Sequence, residues 1–154
     1  MIREFRERGG LWVIGQFTLM AGVIVGGWVW RHQWTSPLTT AVAVVLFAVA
    51  ALFGMWGAIA LGRSLTPFPK PCQGAVLVQR GVFGIVRHPL YTSGLLASVG
   101  WGLAWASGPA LALAVALSLF LKAKADHEER WLRARFPEYA GYARRVRQLI
   151  PWVC

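Results

Sequence analysis

Residues 38–61 form one long, predominantly apolar run without a single charged side chain. A helix needs about 20 such residues to cross the roughly 30 Å of hydrocarbon in a bilayer, so this run is long enough to span a membrane. Residues 11–30 form a second run, in which only Gln16 and Thr18 interrupt the apolar pattern. The chain is 56% hydrophobic and 14% charged, whereas soluble domains have about 25% charged residues. Lipid is therefore the expected solvent for much of its surface.

Two further apolar runs, residues 90–106 and 109–121, are separated by a short Ser-Gly step and predict a helical hairpin. The fourth run is short. It spans only if its helix continues through Lys122 and Lys124, whose long side chains can extend into the headgroup region. The fold class that follows is all-α: a polytopic membrane protein with about four transmembrane helices.

Basic residues are unequally divided between the two sides of these predicted spans. The chain has 16 Lys and Arg against 6 Asp and Glu, and Arg31 is the basic residue that falls between the first two spans. Because cytoplasmic loops are enriched in Lys and Arg, we expect both termini and the 62–88 connector to be cytoplasmic, in a bacterial inner membrane. The net charge of +10 is then a topology signal, and nucleic acid is not an expected partner. Cys72, Cys154 and the histidines follow no disulfide or metal-ligand spacing, so no metal is expected.

The connector cannot be one helix, because three prolines interrupt residues 67–71. Its apolar pieces, residues 75–78 and 82–86, are expected to fold back on the helix bundle rather than face water. After the fourth run, the composition predicts helix up to Pro137 and again over residues 139–147. This amphipathic tail is expected to lie at the membrane surface.

Two polar clusters should meet, because the third and fourth spans form a hairpin. One is Arg87-His88-Pro89 with Tyr91 at the start of the third span, and the other is residues 126–129 after the fourth. Pro89 suits the first turn of a helix, whose positive N-terminal end favours an anionic group such as a carboxylate. The alternative is that Arg87 and His88 are only juxtamembrane charges beside a proline.

Glu128 differs from its acidic neighbours in its position on the predicted helix. Asp126 is spaced i,i+4 from Arg130. Glu129 has the same spacing to Arg133, and such pairs are typical of a solvated helix face. Glu128 instead lies on the apolar stripe of the helix, where a carboxylate needs a partner. We expect that partner to be either the lysine one turn earlier or a bound polar ligand.

These residues belong to motifs that resemble the isoprenylcysteine carboxyl methyltransferase family, which is related to phospholipid N-methyltransferases and small-thiol S-methyltransferases. The motifs are, in order, LxxxGxF/Y followed by RHPxY (residues 77–91), a hydrophobic hairpin, EExxL (128–132) and FPEYxxYxxRVxxxIP (136–151). The resemblance implies an integral membrane enzyme. Residues 1–61 would form two N-terminal helices, and residues 62–154 the connector, hairpin and tail of a single methyltransferase domain.

The resemblance also implies that the cofactor is S-adenosylmethionine. Lys124 stands where the family has an arginine implicated in substrate contact, and a lysine cannot reproduce bidentate guanidinium contacts. Arg87 would either orient an anionic acceptor or structure the connector. No residue is assigned a covalent role, because positioning of donor and acceptor can dominate catalysis. The cofactor contacts carried over from the motifs are Ala75, Val76, Leu77, Val78, Phe83, which replaces a frequent tyrosine, His88, Pro89, Leu90, Tyr91 and Glu128.

The expected reaction is methyl transfer to a carboxylate, thiol or amine at the cytoplasmic membrane face. The acceptor would be a lipophilic small molecule or a lipidated substrate that arrives through the membrane lipid. Two alternatives remain open: an NADPH-dependent membrane reductase of the sterol-reductase type, and a non-catalytic membrane scaffold. A proton-coupled transporter is disfavoured, because such proteins generally need an acid within a span and the 6 acids lie outside the predicted ones.

Overall fold

The computed structural model of the chain describes residues 5–6, 8–70 and 74–151. Within these residues the fold is all-helical and has no β-strand, which confirms the predicted fold class. The expectations for Pro71, Cys72 and Cys154 concern positions outside the described residues. The principal helices are α1 (Gly10–Val29), α2 (Pro37–Leu61), α3 (Pro89–Ala104), α4 (Gly108–Arg135) and α5 (Tyr139–Arg145), with short 3-10 turns at Gly62–Ser64 and Gly81–Gly84.

Helices α1, α2 and α4 are long and apolar enough to cross a membrane. The short helix of the bundle is α3, with 16 residues, or about 24 Å at 1.5 Å per residue. The fourth apolar run, by contrast, belongs to a continuous helix of 28 residues. Nothing interrupts that helix before Phe136, where the following Pro137 disfavours helical geometry. The helix thus continues through Lys122 and Lys124, which is the condition that the sequence set for the fourth span, and about four membrane helices is compatible with the fold.

Close helix packing brings the site-bearing segments together. Helix α1 packs along α4, α2 packs along α3, and α3 and α4 form the predicted hairpin. A Cβ atom added at Gly57 of α2 would lie 3.2 Å from Pro89, the first residue of α3. Small residues allow this approach, and in lipid close packing replaces apolar burial as the main force between helices. The end of α2, the start of α3 and the last turns of α4 consequently meet at one end of the bundle, which we call the connector end.

Gly102 marks the tightest point of the α3–α4 hairpin. A Cβ atom there would lie 2.6 Å from Leu111 Cδ2 and 3.1 Å from the Leu111 backbone nitrogen, whereas at Gly94 the nearest atom, Leu121 Cδ1, is 3.9 Å away. We expect Gly102→Ala to lower the free energy of unfolding by about 1–3 kcal/mol through overpacking. The matched Gly94→Ala should be neutral or stabilising by up to about 1 kcal/mol, because alanine favours helix. Thermal unfolding in detergent compares them, and equal melting temperatures would contradict this account.

The C-terminal tail docks onto the connector and the start of α3. The backbone N–H groups of Arg87 and His88 donate to the carbonyls of Arg147 and Gln148, at 2.8 and 3.1 Å. These bonds need extended backbone after α5, so this helix ends at Arg145 rather than at Arg147 as predicted.

The apolar connector pieces fold back only in part. Val82, Phe83 and Val86 are buried against the rest of the molecule, which confirms the prediction for residues 82–86 at these positions. Val76 remains 70% exposed, so the prediction was wrong there. The physical reason is that its segment lines an open cleft instead of packing on the helices.

Candidate functional site

A cleft at the connector end encloses about 810 Å³ of empty space, including the part that opens to solvent. Its walls come from the end of α2, the connector, the start of α3, the last turns of α4 and the tail. All ten residues that the motifs assign to cofactor contacts line this one cleft: Ala75, Val76, Leu77, Val78, Phe83, His88, Pro89, Leu90, Tyr91 and Glu128. Arg87 lines it as well, whereas Lys124 is not among the lining residues.

Eight further lining residues were missed by sequence reasoning. Four come from the tail and the last turns of α4, inside the EExxL and FPEYxxY motifs, so their motif membership was an available signal. The other four follow the end of α2 and carried no local signal, because only the return of the connector places them here. The eight are Leu132, Phe136, Tyr139 and Tyr142, and Leu61, Ser64, Thr66 and Phe68.

The connector segment 75–78 lines the cleft and lacks backbone pairing with the other described residues. Its residues belong to neither helix nor strand. Among the described residues, no hydrogen bond engages the backbone N–H or C=O groups of this segment. Backbone polar groups are nearly always paired in folded proteins when they are buried. The backbone N–H and C=O groups of residues 75–78 are therefore able to form hydrogen bonds with a ligand in the cleft.

Glu128 reaches the cleft from α4 and is held by α3. The Tyr91 hydroxyl donates to Glu128 Oε2 at 2.7 Å, and His88 Nδ1 lies 3.8 Å from the same oxygen. The His88 and Tyr91 rings are stacked, with centroids 5.3 Å apart. The expected lysine partner was wrong, since Tyr91 makes this hydrogen bond. The Glu128 side chain remains 23% exposed, so its carboxylate can also accept hydrogen bonds from a ligand.

Glu129, not Glu128, is the most buried acid of the described residues, with a side chain only 6% exposed. Its Oε1 accepts hydrogen bonds from Arg87 Nε at 2.8 Å and from Gln148 Nε2 at 2.9 Å, and His88 Nε2 lies 3.3 Å away. The predicted Arg133 contact exists at 3.4 Å. The prediction of a solvated face was nevertheless wrong, because the tail and α3 cover this side of α4.

Asp126 also departs from its predicted pairing. Its carboxylate binds Lys122 Nζ at 2.8 Å and accepts a hydrogen bond from Gln148 Nε2 at 2.9 Å, so the expected partner Arg130 was wrong. Lys122 lies one turn earlier on the same helix and is available because its ammonium group stays near the surface. Within the described part of the chain, no cluster of three His, Cys, Asp or Glu side chains could hold a metal ion.

Arg87 is already engaged by the protein. Its Nε and Nη2 atoms both contact Glu129 at 2.8 Å. Its Nη1 donates to the backbone carbonyls of Ala143, at 3.0 Å, and Val146. These contacts join α3, α4 and the tail, which favours the structural alternative for Arg87 over contact with an acceptor.

Lys124 is fully buried between α1, α3 and the connector. Its Nζ donates to Gln16 Oε1 at 2.5 Å and to the Pro67 carbonyl at 2.9 Å, and it lies 5.2 Å from the centroid of the Tyr91 ring. The expectation that it reaches the headgroups was therefore wrong, because three polar or aromatic partners hold it inside. It lies behind Tyr91, the tyrosine that holds Glu128.

Two buried tyrosines of the tail complete the cleft floor. Burial raises the pKa of Tyr142, and the Glu129 charge adds to that effect while Arg87 opposes it. Burial and Glu129 likewise raise the pKa of Tyr139. Both phenols are consequently protonated at neutral pH and are able to donate a hydrogen bond. The Tyr142 hydroxyl donates to the Phe83 carbonyl at 2.6 Å and so ties the tail to the connector.

The fold and the cleft define an integral membrane protein with a ligand-sized site where its helices meet the connector and tail. Residues 38–139 match the model of a family of membrane enzymes described as phospholipid methyltransferase. The chain belongs to this phospholipid methyltransferase family. The resemblance to isoprenylcysteine methyltransferases is confirmed by a relative from Arabidopsis thaliana, protein-S-isoprenylcysteine O-methyltransferase B, which is 30% identical over 80% of this chain and 62% of its own length.

Two bacterial relatives are similar over nearly the whole chain. The cobalt-zinc-cadmium resistance protein CzcN of Cupriavidus metallidurans is 32% identical over 95% of this chain. The nickel-cobalt-cadmium resistance protein NccN of Alcaligenes xylosoxydans xylosoxydans is 30% identical over the same share. The chain spans 64% and 65% of the lengths of these two relatives.

Proposed function

We propose that this protein transfers a methyl group from S-adenosylmethionine to a carboxylate, thiol or amine of a lipophilic substrate. The observation that carries the proposal is the convergence of ten motif residues, distant in sequence, on one cleft. The Arabidopsis relative supports it, since its name states a methyl transfer to a lipidated cysteine.

The residues of the cleft fit such a cofactor. Phe83, Leu90 and Leu132 supply apolar walls suited to a nucleobase. Free backbone groups at 75–78 can pair with the edge of that base, and the partly exposed Glu128 can accept from ribose hydroxyls or an amino group. The start of α3 offers the positive end of a helix to a carboxylate.

When bound, S-adenosylmethionine supplies a methyl group activated by the positive charge of its sulfonium. The protein contributes position and environment. Tyr91 fixes the Glu128 carboxylate, and the Arg87–Glu129 pair fixes His88 and the start of α3. The apolar walls exclude water, so an anionic acceptor loses hydration that would otherwise stabilise its charge before reaction. Holding both reactants in line provides the remaining advantage.

The connector end is the side on which we place the cytoplasm. The connector, the C-terminal half of α4 and the tail together carry 12 of the 16 Lys and Arg side chains, and such segments stay inside under the positive-inside rule. A cytosolic donor would enter the cleft from this side. A bilayer-borne acceptor would approach from the lipid around the ends of α2 and α3, in a bacterial inner membrane. The amphipathic tail would lie at the membrane surface.

Glu128→Gln tests the cofactor assignment. We expect detergent-solubilised wild-type protein to bind S-adenosylhomocysteine in calorimetry, and the variant to bind it about 10- to 100-fold more weakly, because a charged acceptor is replaced by a neutral amide. Glu138→Gln is the matched control, since Glu138 is exposed and lies outside the cleft. Unchanged binding by Glu128→Gln would refute the role of this glutamate. Absence of wild-type binding, or binding of NADPH in its place, would refute the proposed cofactor and favour the reductase alternative.

The acceptor is best found without assuming its class. Membranes are incubated with the protein and with S-adenosylmethionine that carries a labelled methyl group, and we expect a labelled lipid-soluble product. The atom to which the labelled methyl group is bonded shows whether the acceptor is an oxygen, a sulfur or a nitrogen. Cofactor binding without transfer to any membrane component would favour the scaffold alternative.

A further inference from the structure

The Tyr139 hydroxyl is a buried polar group without a hydrogen-bond partner among the described residues. Tyr139 is 1% exposed, yet it lines the cleft. A buried tyrosine hydroxyl normally makes a hydrogen bond, and a buried polar group without a hydrogen bond destabilises the fold. The unpaired Tyr139 hydroxyl therefore does not contribute to the stability of the ligand-free protein.

The Tyr139 ring is held in place from several sides. Its centroid lies 5.7 Å from that of Tyr142 in an edge-to-face contact, and the Arg133 guanidinium carbon lies 5.8 Å from it. Leu132 and Phe136 pack against the same cluster. Since the ring is fixed, its hydroxyl direction is set by the fold.

The acid beside Tyr139 does not satisfy its hydroxyl. Glu129 lies close enough to raise the pKa of Tyr139 through its charge and a weak hydrogen-bonding contribution. Its carboxylate already contacts two arginines, His88 and Gln148, and among the described residues no hydrogen bond of ordinary geometry reaches the Tyr139 hydroxyl. Tyr139 is therefore a neutral donor at the cleft that the ligand-free protein leaves without a well-formed hydrogen bond.

We propose that the Tyr139 hydroxyl donates a hydrogen bond to the S-adenosyl ligand when that ligand fills the cleft. Tyr139 is thus a ligand-binding residue that the motif comparison does not assign. The inference rests on the proposed function, because it takes the S-adenosyl compound as the occupant.

Tyr142 provides an internal contrast. It lies one turn after Tyr139, lines the same cleft and is equally buried, but its hydroxyl donates to the Phe83 carbonyl at 2.6 Å. Removing the Tyr142 hydroxyl breaks a structural bond, whereas removing the Tyr139 hydroxyl breaks none in the ligand-free protein. The two Tyr→Phe variants should therefore separate ligand binding from stability.

The experiment measures thermal unfolding without ligand and calorimetric affinity for S-adenosylhomocysteine in both variants. We expect Tyr139→Phe to melt at the wild-type temperature or higher, yet to bind about 5- to 30-fold more weakly, the value of one buried hydrogen bond. Tyr142→Phe should melt at a lower temperature than the wild type, because it loses the hydrogen bond to the Phe83 carbonyl. Glu138→Gln, which lies outside the cleft, is the control for affinity. The same titrations with 5′-methylthioadenosine, which lacks the amino-acid group, locate the bond: equal losses place it on the nucleoside, and a loss confined to S-adenosylhomocysteine places it on the amino-acid part.

The proposal fails if Tyr139→Phe binds S-adenosylhomocysteine as tightly as the wild type. It also fails if this variant melts as early as Tyr142→Phe, because the hydroxyl would then be structural. If the wild type binds no S-adenosyl compound, the proposed function fails and this inference with it. The two failures are distinguishable. If the proposed function fails, the wild type does not bind; if only this inference fails, the wild type and Tyr139→Phe bind equally well.

Discussion

Glu129→Gln is expected to lower the free energy of unfolding by about 3–5 kcal/mol, because the buried guanidinium of Arg87 loses the carboxylate that balances its charge. The amide keeps the shape of the side chain but removes the charge that faces Arg87 at 2.8 Å. Arg87 in turn holds two backbone carbonyls of the tail, so docking of the tail should weaken with it. Chemical unfolding in detergent, followed by tryptophan fluorescence, measures the change.

The neighbouring Glu128→Gln is the matched control for this prediction. Glu128 is partly exposed, and the amide oxygen of glutamine can still accept from Tyr91, so we expect less than about 1 kcal/mol of change. A second check is the double variant Arg87→Met with Glu129→Leu, which removes both charges. It should be more stable than Glu129→Gln, because replacing both members of a buried ion pair is often tolerated. Equal stability of Glu129→Gln and Glu128→Gln would contradict the structural role of Glu129.

Lys124→Met is expected to lower the free energy of unfolding by about 1–2 kcal/mol, since it removes a buried donor and leaves two partly buried acceptors without it. These acceptors are Gln16 Oε1 on α1 and the Pro67 carbonyl in the connector. The variant should also weaken binding of S-adenosylhomocysteine, because Tyr91 loses the cation behind its ring. Calorimetry and thermal unfolding in detergent measure both effects.

Lys122→Met on the same helix is the control. Its side chain is 44% exposed and pairs with Asp126 at the surface, and such pairs contribute less than about 1 kcal/mol. Adding Gln16→Leu to Lys124→Met should recover part of the lost stability, because it removes one of the unsatisfied acceptors. If Lys124→Met were as stable as Lys122→Met and only raised the KM of the methyl acceptor, the substrate role first expected for this lysine would stand instead.

The sequence was informative where the signal is local. A run of apolar residues longer than a bilayer is thick leaves little choice but a spanning helix, and α1 and α2 follow their predicted runs closely. A proline ends α4 at the predicted place. The motif residues line one cleft because the α3–α4 hairpin and the returning connector bring their segments to the same end of the bundle.

The inward-facing acid was harder to predict. Adjacent helical residues point about 100° apart, so the rotation of α4 decides whether Glu128 or Glu129 faces the tail. The i,i+4 rule compares a residue only with its own helix, whereas Arg87, His88 and Gln148 come from other segments. For the same reason Lys124 was expected to reach the headgroups, since its partner Gln16 lies on α1.

The sequence alone determined that this is an all-α membrane protein and where its long apolar helices lie, because chain length, hydropathy and local spacing encode those properties. Only the tertiary structure decided that Glu129 is the buried hub, that Arg87 is tied to the tail, that Lys124 is buried behind Tyr91, and that the Tyr139 hydroxyl is left unpaired. Each of these depends on contacts between segments far apart in the chain. Such contacts are set by helix rotation and packing distance, which no single segment specifies.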